Sequence, residues 1–269
     1  MTHMIYVVPS LKAKEKLQCE GKAWAESQGF TYVPRGKRTI QDLMDEYGED
    51  FLVYSSRGPQ IDRPEGSHFF SLNMAELRIQ NLRKGQRDHL LEALMGRGSS
   101  KLPITVLDCT CGFGADAAVA SFGLPDGSRV DAREVSPLLE AVTSWGFSHF
   151  VHKKDDVTAA LRRISLRRGD YRDYLLSDEG PVYDVLYFDP MFQRPVEASC
   201  QFQPVRAIME HGGLTRDLIE RALQKARRRV VIKERDFRQL CRDFPEVTLY
   251  GGKYSRIGYA VLECDSWKK

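Results

Sequence analysis

Apolar positions recur along the chain with two different periods, and the switches between them mark the elements. Ile5 to Val8 are a short run of strand formers. Residues 11–28 carry a helical pattern that Gly29 stops. Thr31-Tyr32-Val33 reads as a second short strand. Thr39, with Asp42 three residues on, has the form of a helix-capping pair, and the helix runs to about Tyr47 before Gly48. Phe51 to Tyr54 reads as a strand, and His68 to Ser71 as another after a turn containing Gly and Pro. These elements predict a small N-terminal α/β domain over residues 1–72. Segment 73–96 places Met74, Leu77, Leu82, Leu90, Leu91 and Leu94 on a mostly helical period, and Gly85 divides it into two helices. Residues 73–102 are therefore expected to form a helical connector.

From residue 103 the pattern becomes a regular strand–helix alternation. Strands are expected at 104–107, 129–132, 164–166, 183–188 and 229–232, with two more near 246–250 and 257–263. Helices fall between them at 115–121, 136–145, 155–162, 214–226 and 235–242. Such alternation builds a doubly wound, mostly parallel α/β sheet, here over 103–269. The two consecutive strands at the end predict an antiparallel edge hairpin.

A chain of 269 residues suits one large domain with a smaller companion. Its 42% hydrophobic and 29% charged residues are those of a globular protein. The first residues hold too short an apolar run for a signal sequence, and no stretch approaches the roughly 18 apolar residues of a spanning helix. The expectation is a cytoplasmic protein with no membrane partner. Cys19, Cys109, Cys111, Cys200, Cys241 and Cys264 are scattered, their closest pair being C-x-C, and His149 and His152 lie apart from them. Neither a metal site nor a disulfide framework is signalled. A net charge of +3 does not mark a polyanion binder. The distribution says more: Arg162, Arg163, Arg167, Arg168 and Arg172 form one cluster, and Arg227, Arg228, Arg229, Lys233, Arg235 and Arg238 another. Such patches dock phosphates, and solvated faces have the same composition.

The stretch VLDCTCGFGADA, Val106 to Ala117, places Asp108 at the end of a strand, Gly112 and Gly114 in the turn, and a helix after them. The glycines let a ligand approach the backbone, and the helix start offers free N–H groups. Two ligand classes use such a turn. A dinucleotide takes the Gly112, Gly114, Ala117 spacing, with an acid downstream for the ribose. S-adenosylmethionine takes a similar loop, with Asp108 ordering the turn and Glu134 holding both ribose hydroxyls. A tight strand-to-helix turn needs the same glycines with no ligand at all. Asp116, in the first helical turn, joins the cofactor-binding candidates. Asp170 follows the next strand and either accepts from an adenine amino group or caps a helix over 171–176.

The segment VYDVLYFDPMFQRP ends a strand with Asp189, Pro190, Met191 and Phe192. Asp189 shares its edge with Asp108, Glu134 and Asp170, and four acids at successive strand ends are hard to explain by packing. A plain turn also opens with Asp-Pro. A nicotinamide oxidoreductase has no use for Asp-Pro-Met-Phe, whereas a methyltransferase acting on an exocyclic amine does. That nitrogen is conjugated with its ring and needs Asp189 and the Pro190 carbonyl to accept its hydrogens while Phe192 stacks on the ring.

This motif set resembles class I S-adenosylmethionine-dependent methyltransferases, which have a Rossmann-like fold. More narrowly, DCTCGFGADA, LYFDPMF, RRVVIKERDF and KYSRIGYAVL resemble the bacterial family that methylates the N2 amine of a guanosine in small-subunit ribosomal RNA, with its less characterised relatives. The resemblance covers most of 73–264. It implies that Asp108, Gly112, Gly114 and Glu134 bind the cofactor, and that Asp189, Pro190 and Phe192 form the amine site. Met191, Lys233 and Arg256 are the implied substrate contacts, and ribosomal RNA or the small subunit the implied partner. The chain departs from that family at Phe113 and Ala115, at Gln193 and Arg194, and over its first 72 residues. Two competing readings are an NAD-type oxidoreductase and a non-catalytic RNA-binding or ribosome-assembly factor. The complete acid set counts against the latter.

Overall fold

The computed structural model describes residues 4–96, 102–190, 213–251 and 257–266. They separate into two units. One holds 4–71 and 136–150, and the other 72–96, 102–135, 151–190, 213–251 and 257–266.

In the first unit, among the described residues, five strands pair in the order β2-β1-β3-β4-β5. They are β1 (Tyr6–Pro9), β2 (Thr31–Tyr32), β3 (Phe51–Ser55), β4 (Gly58–Arg63) and β5 (Gly66–Phe69). The first three are parallel, joined by crossover helices α1 (Glu15–Ser27) and α2 (Ile40–Tyr47), and β4 and β5 add antiparallel. Thr39 caps α2 by the expected reciprocal pair: its hydroxyl accepts the Asp42 N–H at 3.2 Å, and its own N–H donates to the Asp42 carboxylate at 2.7 Å. Val8, Leu43, Phe51 and Val53 form an apolar core under it.

The sequence pattern predicts only a turn between Tyr54 and His68, yet the structure has a strand there. All six residues of β4, GPQIDR, are buried. No alternation of apolar and polar residues betrays it, because its polar side chains are buried and bonded. The Gln60 amide donates to both Asp62 carboxylate oxygens at 2.8 and 2.9 Å, and Arg63 donates to the carbonyls of Asp62 and Glu49 at 2.8 and 2.6 Å. Helix α6 (Pro137–His149), from far along the chain, packs on β4 in this unit. A Cβ at Gly146 of α6 would overlap the Phe70 ring.

In the second unit, seven strands among the described residues run β11-β12-β10-β9-β6-β7-β8. Their ranges are β6 (Thr105–Asp108), β7 (Arg129–Glu134), β8 (Ile164–Arg168), β9 (Val185–Phe188), β10 (Arg229–Glu234), β11 (Thr248–Gly251) and β12 (Gly258–Glu263). The sheet is parallel from β10 to β8, and β12 and β11 close its other edge antiparallel. The chain lays β7 and β8 on one side of β6, then returns to lay β9 and β10 on the other. That reversal makes the C-terminal ends of β6 and β9 the place where a ligand crevice opens. Buried Asp184 fixes the entry to β9, its carboxylate accepting from the Thr105 N–H at 2.8 Å and from the Thr105 hydroxyl at 3.0 Å. Leu107, Leu186, Phe188, Val230 and Ile232 of the central strands share a core with Ile219 and Leu223 of α9 (Arg216–Lys225). Among the described residues no helix is long and apolar enough to cross a membrane.

Replacing Gly146 by Ala should destabilise the protein although alanine is the better helix former. Overpacking against Phe70 costs on the order of 1–3 kcal/mol, against a propensity gain of about 1 kcal/mol. A urea titration showing equal or higher stability would contradict the close packing of α6 on Phe70.

Candidate active site

Asp108 ends β6 and is 2% exposed. Its carboxylate accepts the Thr110 N–H at 3.1 Å, which bends the chain into the loop before α5 (Ala115–Gly123). Gly112 and Gly114 both sit in the left-handed region, at φ 54° and 74°, where a side chain would be strained. Among the described residues a Cβ at Gly112 would meet only the Thr110 carbonyl, at an ordinary contact distance of 3.9 Å, so the turn is not sterically crowded there. Glu134, the last residue of β7, accepts the Gly112 N–H at 2.8 Å and ties the loop to the neighbouring strand end.

Asp189 follows β9 directly. Its N–H donates to the Thr110 hydroxyl at 2.7 Å, joining the loops after β6 and β9. Its Oδ2 accepts from the Lys233 ammonium on β10 at 2.7 Å. The same ammonium donates to Asp116 at 2.8 Å. Asp116 was expected among the cofactor contacts, but both of its oxygens are engaged within the protein. Oδ1 receives Arg78 at 2.5 Å, and Oδ2 receives the Tyr187 hydroxyl at 2.8 Å as well as Lys233. Arg78 lies on α3 (Asn73–Arg83) and forks onto Asp88 at 2.7 and 2.8 Å. Asp88 in turn caps α4 (His89–Met95) through the Leu90 N–H at 3.0 Å. A continuous ionic chain therefore runs Asp88, Arg78, Asp116, Lys233, Asp189.

Burial sets the charge states along this chain and its neighbours separate them. Burial alone would raise the Asp116 carboxyl, but Lys233 and Arg78 outweigh it and hold it well below the usual range. Burial would likewise depress Lys233, and the two carboxylates reverse that and raise it. For Asp189 burial wins, with Asp116 adding to it, and its carboxyl is pushed up to about 6 despite Lys233. Burial drives Asp108 well above the ordinary value, and Asp116 and Asp189 push it the same way.

Asp170 follows β8 and caps α8 (Tyr171–Leu176), one oxygen accepting the Arg172 N–H at 2.8 Å and the other pairing with the Arg172 guanidinium at 2.9 Å. Asp189, Asp108, Glu134 and Asp170 thus stand at the C-terminal ends of adjacent strands, in sheet order β9, β6, β7, β8. Pro190 follows Asp189, whereas Met191, Phe192 and Arg256 lie outside the described residues. Thr110, Tyr187, Arg78 and Asp88 carry much of this geometry and went unread in the sequence. Tyr187 and Thr110 lie inside the quoted motifs, two residues from Asp189 and from Asp108, and for Tyr187 the period of two along β9 places it on the same strand face as Asp189.

The arrangement is a row of acids along one sheet edge beside a glycine turn. Residues 67–257 match the family model "Putative SAM-dependent methyltransferase". The chain belongs to this family. The methyltransferase is 29% identical over 230 residues to the uncharacterized protein YpiP of Bacillus subtilis, covering 85% of this chain and 88% of that one. It is also 29% identical over 216 residues to the ribosomal RNA small subunit methyltransferase J of Pseudomonas fluorescens, covering 77% and 80% of the two chains. A solved SAM-dependent methyltransferase from Neisseria gonorrhoeae shares the Rossmann-like fold at a TM-score of 0.61 and 18% identity, over 96% of this chain and 95% of that one. The expected fold class, enzyme class and S-adenosylmethionine cofactor hold, and the nicotinamide and non-catalytic readings have no support.

The residues present fit that cofactor. Gly112, with no side chain, has no group closer than 3.9 Å on its Cβ side among the described residues, which suits a close ligand approach. Buried Asp108 and Asp116 and half-buried Asp189 outnumber Lys233 and Arg78, the cations that hold the last two, so a sulfonium would find complementary charge.

Replacing Arg78 by Met strips Asp88 and Asp116 of a shared partner while leaving the Lys233 bonds intact. The loss should be on the order of 3–5 kcal/mol in chemical denaturation. A loss under about 1 kcal/mol would place Arg78 among exposed ion pairs of little consequence.

Proposed function

We propose that this methyltransferase transfers a methyl group to an exocyclic amine of a base in ribosomal RNA, guanine N2 foremost, in the cytoplasm. The observation that carries the reading is Asp189, fixed where the sheet order reverses, beside the Gly112 turn. The similarity to ribosomal RNA small subunit methyltransferase J supports the choice of substrate.

The parts of the described residues are assigned from their places, and those of Met191, Phe192 and Arg256 from the family resemblance alone. Gly112 and Gly114 present backbone to the cofactor, Glu134 takes its ribose hydroxyls, and Asp108 keeps the turn in shape. Asp116 lies one layer behind them. When bound, S-adenosylmethionine supplies a methyl group made electrophilic by its sulfonium. Asp189 Oδ1 accepts one amine hydrogen and the Pro190 carbonyl the other, which turns the nitrogen lone pair out of conjugation with the ring. Phe192 stacks on the base, Met191 and Arg256 complete the substrate side, and the proton released by the nitrogen passes to Asp189. Alignment of this kind contributes roughly 7–11 kcal/mol toward the barrier. A base inside a helix is out of reach, so the target is a loop nucleotide or one drawn out of its stack.

Replacing Asp189 by Ala should lower transfer by roughly 10²–10⁴-fold and leave S-adenosylhomocysteine affinity nearly unchanged. Replacing Glu134 by Ala should weaken that affinity by roughly 10–100-fold in calorimetry. The substrate is tested by incubating the protein and labelled cofactor with unmethylated ribosomal RNA and small subunits, then mapping the product by mass spectrometry. A methyl group on protein, or on no RNA at all, would end the reading.

The pH dependence follows from the same group. Asp189 accepts a proton only when ionised, and its carboxyl sits near 6. Single-turnover rates should therefore rise as pH increases through about 6 and fall below it. A rate flat from pH 5 to 8 would remove Asp189 as acceptor.

A further inference from the structure

Lys233 was expected among the substrate contacts, and the geometry sets its ammonium between two carboxylates. Its side chain is 14% exposed, and its ammonium lies 2.8 Å from Asp116 and 2.7 Å from Asp189. On Asp189 the bond falls on Oδ2, and among the described residues Oδ1 receives no hydrogen bond. Asp116 cannot swing away to release the ammonium, because Arg78 holds its other oxygen and Tyr187 shares the same one. Arg78 is itself forked onto the cap of α4.

We propose that Lys233 is a positioning residue: clamped by Asp116, it fixes Asp189 through Oδ2 so that Oδ1 alone meets the target amine. This rests on the reading of Asp189 as the group that addresses that amine. The clamp also answers a conflict. An ammonium bonded to Asp189 alone would hold it in place and strip it of proton affinity. Asp116 offsets that positive charge, so Asp189 is pinned yet still basic enough to take a proton. Charge balance explains why an acid stands at Asp116 with both of its oxygens engaged by protein groups.

The groups facing Asp189 are Lys233 and Glu234 on β10, Asp116 on α5, Asp108 at the end of β6 and Tyr187 on β9. Of these only Lys233 lowers its proton affinity, and Asp116 raises it. The two substitutions therefore push in opposite directions.

The test is an NMR titration of the full chain with isotope-labelled aspartate, the Asp189 signal being assigned by its loss in Asp189→Asn. Lys233→Met should raise the Asp189 midpoint by about one unit or more, and Asp116→Asn should lower it by a similar amount. Lys233→Arg should bring it back toward the parent value. In the same variants kcat should fall by roughly tenfold or more, while S-adenosylhomocysteine affinity stays close to the parent's. Midpoints that do not move, or that move in the same direction in Lys233→Met and Asp116→Asn, overturn the clamp. Should Lys233→Met fail to fold, Asp116→Asn and Lys233→Arg decide it by the same measurement. The titration needs no RNA, so it judges the clamp even if the RNA assay removes the substrate reading.

Discussion

Lys233, Asp116 and Asp189 come from a strand, a helix and a loop that are far apart in sequence, and each would be costly to bury alone. A lone buried ion has an effective penalty of several kcal/mol even after relaxation. Together they form a closed set: one ammonium between two carboxylates, with Arg78 and Tyr187 completing Asp116. The set can form only if β9 and β10 lie on one side of β6 and α5 starts where the glycine turn releases it. The sheet order that opens the crevice also brings the charges together, so the fold and the site satisfy the same geometric condition.

Much of this was legible in local sequence. The strand runs are strong, the sheet is parallel, and the C-terminal ends of parallel strands share one edge. Asp108, Glu134, Asp170 and Asp189 could therefore be placed on that edge from their positions just after apolar runs. The capping pair at Thr39 and Asp42 was readable because both partners lie within one turn. What could not be read is pairing across distance. Arg78 reaches Asp116 over 38 residues, Tyr187 over 71 and Lys233 over 117. Nothing in the neighbourhood of any of these residues names its partner. Asp116 in the first turn of a helix looks the same whether it faces a ligand or an ammonium, since either suits a helix N-terminus.

The hidden strand β4 fails for a different reason. Period-two reading needs one face in water, and β4 has neither face there. Its Gln60, Asp62 and Arg63 satisfy one another and nearby carbonyls, and Gly58 and Pro59 look like turn formers. Polar content is a guide to exposure only where the polar groups lack buried partners. The same condition separates Arg63, which stacks 4.8 Å over the Phe51 ring, from the exposed arginines of similar local composition.

The acids of the second unit pull stability in opposite directions. Asp116 has a carboxyl held below its unfolded value, so it stabilises the fold above the ordinary carboxylate range, and that contribution fades as pH falls through its folded value. Asp108 and Asp189 are raised, so holding them ionised opposes folding, increasingly as pH rises above the ordinary carboxylate value and toward their folded ones. A structure selected for stability alone would have no reason to keep the second pair. Their acid excess makes sense where a cation arrives: a bound sulfonium lowers the cost of ionising them, and they in turn favour its binding, by the reciprocity of linked equilibria. Packing can account for the apolar sheet beneath, but it does not account for two carboxyls raised above their ordinary range at the point where the strand order reverses.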